Sequence, residues 1–376
     1  MANNNKHTGP NVPALRFPEF SGEWTKIKLR DLGSFFSGGT PSSSRKDYYG
    51  GEIPFIRSGE LHSDSTALSI TKEAYDSCSA KMVNKGDLLL ALYGATSGDI
   101  SISRICGAIN QAILCIRPQY MDAYFIKSLW EKHKKHILET YLQGGQGNLS
   151  SEIIKNISFF FPNSDEQVKI SRLIHIIDDR IETQSKIIEE QETLLRSLRH
   201  KIYSRVQAQS QCTIADVLCY EQPTKYLVTD TDYTDDDSQV PVLTANKAFI
   251  LGYTTENFGI YDKGPCIILD DFTLDCKYVD FKFKVKSSAI KILRAKAKTN
   301  LRFIFEYFRF LELNTTEHRR HYIAEIEPMS ILLPSNEEID RIARLFTALD
   351  ERLETARKEL KILESQKMYM LQKMFI

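Results

Sequence analysis

The chain has 376 residues, 49 Lys plus Arg balanced by 49 Asp plus Glu, and 42% hydrophobic content. This excludes a disordered polymer and any global electrostatic pull toward nucleic acid or membrane, and no apolar run approaches the roughly 18 residues that span a bilayer. Seven cysteines with no CxxC pair exclude a disulfide scaffold and predict a reduced, cytoplasmic chain with buried thiols.

Residues 1–14 are polar and Asn-rich and read as a flexible N-terminus. Residues 15–162 read as a first mixed α/β domain. Short β-like runs such as Ile53-Pro54-Phe55-Ile56, Leu88–Leu92, Asp99–Ile105 and Ile113–Ile116 alternate with Gly, Ser and Asp, and a helical stretch covers about Met121–Tyr141. Two loops are rich in donors and glycine: Gly38-Gly39-Thr40 through Arg45-Lys46, and Gln143 through Gln146-Gly147-Asn148. Glycine permits close backbone approach, and Gln and Asn can pair bidentately with adenine, although both stretches also read as plain loops.

A helix follows over 163–207. Asn163 and Glu166 have capping-box spacing, and apolar residues then recur in steps of three and four through Ile174, Ile177, Ile181, Ile188, Leu195, Leu198 and Ile202. The segment from Pro162 recurs from Pro334 at an offset of 172 residues, so that Glu166, Asp178 and Arg180 match Glu338, Asp350 and Arg352. The second copy, 335–376, carries the same seam from Phe346 to Met374, and each helix holds eight basic and eight acidic residues. These helices read as struts with a buried stripe and a solvated face. If they pair antiparallel, about 40 residues at 1.5 Å each separate two domains by roughly 60 Å. Gln184, Gln191 and Lys367 interrupt the seam and are candidates for setting its register.

Residues 208–334 read as a second α/β domain that echoes the first faintly. Val240-Pro241-Val242-Leu243 resembles Ile53–Ile56, and Lys263-Gly264 precedes an apolar run as Lys85-Gly86 does. The run Phe281-Lys282-Phe283-Lys284-Val285-Lys286 alternates strictly. Such a strand buries Phe281, Phe283 and Val285 and displays Lys282, Lys284 and Lys286, either along phosphates or as a solvated edge protected against aggregation. The segment Glu317-His318-Arg319-Arg320-His321-Tyr322 holds donors able to read guanine edges, or is an ordinary polar loop. The acidic run Asp230–Asp237 predicts an exposed loop facing away from any duplex.

Motifs for chemistry are sparse. No two prolines are adjacent, so the Asn/Asp-Pro-Pro pocket of an adenine methyltransferase is absent, as is a Walker A loop. Asp275-Cys276-Lys277 matches only the end of a nuclease motif. His133/His136 and His318/His321 have HxxH spacing without Cys or carboxylate partners in a recognised zinc pattern.

Taken in order, several motifs give the chain a family resemblance. Leu15-Arg16-Phe17-Pro18-Glu19-Phe20, Gly38-Gly39-Thr40-Pro41 before Ile53–Ile56, and Tyr93-Gly94-Ala95-Thr96-Ser97-Gly98 lie in the first block. Gly144 through Ser150, Phe159-Phe160-Phe161-Pro162 and Glu166-Gln167 close it. In the second block stand Asp270-Asp271-Phe272-Thr273 and Lys277 through Ser288. With the duplicated helices, the chain resembles the DNA specificity (S) subunit of type I restriction-modification systems. The resemblance implies an α+β protein with two target-recognition domains (15–162 and 208–334) separated by an antiparallel helical pair (163–207 and 335–376). Each domain would read one half of a bipartite target in double-stranded DNA. The helices would set the spacer and dock two modification (methyltransferase) subunits, with restriction (translocase/nuclease) subunits joining them. The chain itself would be non-catalytic and carry no cofactor; S-adenosylmethionine, ATP and Mg would sit on the partner subunits. The expected DNA-contacting residues are Thr40, Arg45, Lys46, Gln146 and Asn148 in the first domain, and Lys282, Lys284, Lys286, Arg319, Arg320 and His321 in the second. The competing reading is a non-enzymatic coiled-coil scaffold displaying two protein-binding heads.

Overall fold

The computed structural model describes residues 11–142, 148–245, 248–296, 299–313, 315, 317 and 319–376. Gln146 and His318 lie outside the described residues. The chain gathers into two units, one comprising the residues up to Gln184 together with Glu359–Ile376, the other Ser185–Lys358.

The first unit contains β1 (Thr25–Lys28), β2 (Gly33–Ser37), β3 (Tyr49–Ile56), β4 (Ser69–Ile70), α1 (Lys72–Asp76), β5 (Lys81–Val83), β6 (Leu88–Ala91), β7 (Ile100–Ile102), β8 (Gly107–Ile109), β9 (Ile113–Pro118), α2 (Ala123–Tyr141), α3 (Ser151–Asn156), β10 (Ser158–Phe161) and the first part of α4 (Ser164–Tyr203). One sheet runs β2-β9-β6-β7, a second runs β4-β3-β8-β5, and β1 pairs with β10. The second sheet contains a parallel pair, with Phe55 and Ile56 beside Ala108 and Ile109. β6 is buried at every position, which explains its unbroken apolar sequence: a strand covered on both faces has no solvent side on which to place polar residues. Leu88 and Leu90 join the core around Trp24, Leu129 and Trp130, and Leu89 and Ala91 join that of Ile56 and Ile113. Asp122 caps α2 by accepting from the Phe125 amide at 2.8 Å, and the Trp130 indole donates to the Gly98 carbonyl at 2.8 Å.

The second unit contains the rest of α4, then β11 (Ser210–Thr213), α5 (Ile214–Val217), β12 (Leu218–Glu221), β13 (Val240–Leu243), β14 (Ile250–Thr254), β15 (Cys266–Asp270), β16 (Cys276–Val279), β17 (Lys284–Val285), β18 (Ile290–Ala295), α6 (Leu301–Leu311), β19 (Ser330–Leu333) and most of α7 (Asn336–Met374). Its sheets run β12-β18-β15-β16, β14-β13-β17 and β11-β19. The topology of the first unit therefore recurs. In each there is a four-stranded sheet, a second sheet with an internal parallel pair (β3 with β8, β13 with β17), and a two-stranded ribbon leading into a long helix. The two sequence echoes fall on equivalent strands: Ile53–Ile56 in β3 matches Val240–Leu243 as β13, and the runs after Lys85-Gly86 and Lys263-Gly264 form β6 and β15.

The predicted seams are real. Ile174, Ile177, Leu195, Phe346, Leu353, Ala356, Leu363 and Met374 are buried, and the remaining seam positions are partly covered. Within the first unit, Asp178 meets Lys367 at 2.8 Å and Gln184 meets Glu359 at 3.1 Å, so advancing along α4 retreats along α7. Within the second unit, Arg357 meets Glu192 at 2.6 Å, and Tyr203 stacks on Phe346 with centroids 6.3 Å apart. The pairing is antiparallel in both. The caps are simpler than the predicted boxes. Asn163 accepts from the Glu166 amide at 2.9 Å, and Ser335 from the Glu338 amide at 3.2 Å. The Glu166 carboxylate instead holds Arg16 in a buried bidentate pair at 2.7 Å.

The repeated aspartates clamp each helix to its head. Asp178 takes Lys127 of α2 at 3.0 Å as well as Lys367, and its counterpart Asp350 takes Arg302 of α6. Burial pushes the Asp178 carboxyl up, and the ammonium groups of Lys127 and Lys367 hold it below its ordinary value. Lys367 thus fills its seam position as an ion-pair partner, consistent with a register-setting role.

Candidate nucleic-acid interface

In the first unit the loop from Gly38 leads out of β2. Its glycines do permit close approach, but to the protein's own backbone. A Cβ on Gly38 would lie 1.7 Å from the Ile109 carbonyl oxygen, and one on Gly39 would lie 2.1 Å from the Ser79 hydroxyl. Gly38→Ala is therefore expected to push the loop off β8 and lower stability by about 2 kcal/mol. A thermal melt that leaves the transition unmoved would contradict this packing.

Beyond the glycines, exposed Thr40 donates its hydroxyl to the Gln111 side-chain oxygen. Asn148, also exposed, forms an antiparallel bridge with Tyr93. Tyr93 in turn lies beside Gln111, the Leu92 amide donating to the Ala112 carbonyl at 2.8 Å. Thr40 and Asn148, 108 positions apart in sequence, are thereby brought together around Tyr93, named above only within a family motif, and Gln111, which sequence reasoning did not single out. Arg45 is engaged differently. Its guanidinium pairs with Asp47 at 2.6 Å and Glu73 at 3.4 Å and lies 4.2 Å from the Tyr48 ring centroid. The hydrogen bond to Asp47 raises its pKa further above the ordinary arginine value. Lys46 is exposed and makes no ion pair or side-chain hydrogen bond among the described residues.

In the second unit the lysine row does not form. Phe283, Lys284 and Val285 are all fully buried, while Phe281 is 40% exposed. The alternation assumed a strand with one face in water. Here the ordered strand is only β17, held between the parallel neighbour β13 and the bridge of Leu227 to Val285, and Phe283 bridges Tyr261. Lys284 is drawn in with its neighbours. Its ammonium pairs with Glu256, donates to the Phe258 carbonyl at 2.9 Å and lies 4.2 Å from the Phe258 ring centroid. Its assignment as an exposed phosphate contact is corrected to that of a buried ion-pair partner. Lys282 and Lys286 remain exposed, Lys286 resting 5.5 Å from the Tyr233 ring centroid.

Other basic residues of this unit are similarly divided. Lys291 is buried against Asp271 at 3.4 Å, and Arg302 belongs to the helix clamp. His321 is 1% exposed, so its expected place on a base-reading surface is also corrected. Its Nδ1 meets Glu325 at 2.9 Å and its Nε2 faces the Thr315 hydroxyl at 3.1 Å and the Glu317 carbonyl at 3.2 Å. The Glu317 carbonyl, with help from Glu325, raises its basicity. Buried Asp271 accepts from the His321 and Tyr322 amides at 3.1 and 2.8 Å, which gives the Asp270-Asp271 motif a scaffolding role. Arg319 is exposed but paired with Glu317 and Glu325. Arg320 is exposed, 5.9 Å from the Phe272 ring centroid. The aspartates of the run 230–237 are exposed, as predicted. Among the described residues, no group of three or more His, Cys, Asp or Glu is placed to hold a metal ion, and no helix is long and apolar enough to cross a membrane.

Residues 21–193 match the family model of the type I restriction modification DNA specificity domain. Over 156 residues the chain is 42% identical to the EcoR124I/EcoR124II specificity subunit of Escherichia coli, covering 37% of this chain and 38% of that protein. It is 29% identical over 175 residues to the MjaIX specificity subunit of Methanocaldococcus jannaschii, covering 44% and 40% respectively. The chain thus aligns with about two fifths of these relatives' length. A putative MjaX specificity subunit of the same archaeon aligns over 95% of this chain and 94% of its own length at 22% identity. Among solved structures, the S subunit of a type I restriction-modification system from M. genitalium superposes with a TM-score of 0.70 at 15% identity, covering 97% of this chain and 99% of that one. A chain from a structural study of the assembly and conformational transition of the type I R-M system gives 0.52 at 12% identity, covering 94% and 97%. Residues 21–193 therefore belong to the type I restriction-modification DNA specificity domain family, and the chain has the fold of an S subunit.

Proposed function

We propose that the chain is the sequence-reading subunit of a type I restriction-modification complex. Residues 15–162 and 208–334 act as target-recognition domains, each reading one half of a bipartite site in double-stranded DNA. Residues 163–207 and 335–376 set the unread spacer and dock two modification subunits, which restriction subunits then join. The chain is the non-catalytic member of this cytoplasmic assembly; S-adenosylmethionine, ATP and Mg belong to the partners. The observation that supports this most is the recurrence of one strand topology in both units with different residues on the loops. A duplicated frame with divergent loops suits two different half-sites. Thr40, Lys46, Asn148, Lys282, Lys286 and Arg320 are the exposed candidates for DNA contact. Arg45 and Arg319 would have to exchange carboxylate partners for phosphate.

Selection of bound duplexes from a random pool, using the chain assembled with its modification subunits, tests the proposal. The expected product is a split motif, two short read elements around a fixed unread gap. Retention of duplexes without any sequence enrichment would favour the scaffold reading instead.

A further inference from the structure

Gln111 stands where four loops of the first unit meet. It is exposed, in the short connection between β8 and β9. That connection is fixed on both sides: the Ala112 amide donates to the Asn110 side chain at 3.1 Å, and the Leu92 amide to the Ala112 carbonyl at 2.8 Å. Thr40 donates to the Gln111 amide oxygen, and Tyr93, which is bridged to Asn148, lies beside the same side chain. A carboxamide has two N–H groups and two acceptor lone pairs. Thr40 occupies one lone pair of the amide oxygen. One acceptor lone pair and the N–H donors of the same planar group remain. Adenine presents the complement in the major groove, an N6 amino donor beside an N7 acceptor.

We infer that Gln111 is a specificity-determining residue that pairs bidentately with an adenine in the half-site read by the first unit. The inference rests on the DNA-recognition reading proposed for the chain. A surface glutamine ordinarily gives up rotamer freedom when it binds; Thr40 has already restricted this one, so less is lost on contact. Thr40 then acts as a positioning residue, its hydroxyl holding the amide oxygen of the exposed Gln111.

The test uses the full chain with its modification subunits and the target that the wild-type complex selects. Competition binding is measured for duplexes carrying each of the four bases at every read position, for wild type, Gln111→Ala and Gln111→Glu. The wild type is expected to require adenine at one position of one half-site. Gln111→Ala should lose roughly tenfold or more of that discrimination at this position, leaving the other half-site and the spacer preference intact. Gln111→Glu, isosteric but acceptor-only, should shift that position toward cytosine, whose amino group a carboxylate accepts. If the wild type selects no split target, the recognition reading fails. If it selects one and both variants keep every base preference, or lose all binding while melting as wild type, the Gln111 assignment fails. Should Gln111→Ala melt early, the isosteric variant decides alone.

Discussion

Glu306→Ala is expected to destabilise the second unit by about 4 kcal/mol. Glu306 is fully buried on α6. It accepts from Arg199 of α4 at 2.8 Å and from Arg302 at 2.7 Å, and Arg302 also reaches Asp350 of α7. One carboxylate therefore holds the head helix between both long helices of its unit. Arg199 is 4% exposed and one of its terminal nitrogens already has no partner. Removing Glu306 leaves that guanidinium buried and uncompensated, which is the situation that makes breaking an internal ion pair far more damaging than the pair is stabilising. The same logic predicts partial recovery when both charges go: Glu306→Leu with Arg199→Met should be closer to wild type than Glu306→Ala alone. Urea unfolding followed in the full chain reads both. A Glu306→Ala midpoint within the equivalent of about 1 kcal/mol of wild type would refute the clamp.

Lys284→Ala is expected to destabilise the same unit by about 3 kcal/mol, and to do so in a pH-dependent way. The Lys284 side chain is inaccessible and that of Glu256 is 10% exposed. Burial pushes the Glu256 carboxyl up. Lys284, the Thr229 hydroxyl and the Asp230 and Thr229 amides overcome this and hold its pKa down at about 2, against 4.5 ordinarily. A carboxyl with a lowered folded-state pKa contributes stability that is complete above the unfolded value and is lost as pH falls through the folded one. In wild type that loss should run from about pH 4.5 down to about 2. In Lys284→Ala the folded value rises toward the ordinary one, so the acid slope flattens while stability at neutral pH drops. Equal slopes in the two proteins would contradict the pairing. DNA binding separates this residue from its neighbours. Lys282→Ala should reduce the salt slope by up to about 0.9, whereas folded Lys284→Ala protein should keep the wild-type slope.

What could be read in advance follows from the range of the interactions involved. The long helices were legible because their seams are local: a stripe from Ile174 to Ile202 repeats within one segment, and antiparallel pairing needs nothing beyond two matching stripes. The identity of Asp178 and Asp350 was visible, but their task was not, since it depends on Lys127 and Arg302, supplied by a head helix about 50 positions away. The heads' repetition showed only at β3, β6 and their counterparts, because topology is conserved there by buried backbone pairing while side chains differ. The lysine run misled for a definite reason. Strict alternation implies one wet face, yet β17 is covered on both, and Glu256, 28 positions earlier, neutralises the lysine that this encloses. No local pattern marks Gln111. Its interest comes from loops that meet only after β6, β8 and β9 are in register.

The most direct measurement of the central claim, two heads of one chain reading separate halves of one site, is the methylome of cells with and without this chain. A single adenine-methylation motif should disappear with it, and that motif should be divided into two unlike parts by a fixed gap. Methylation that persists unchanged, or the loss of an undivided motif, would contradict the claim.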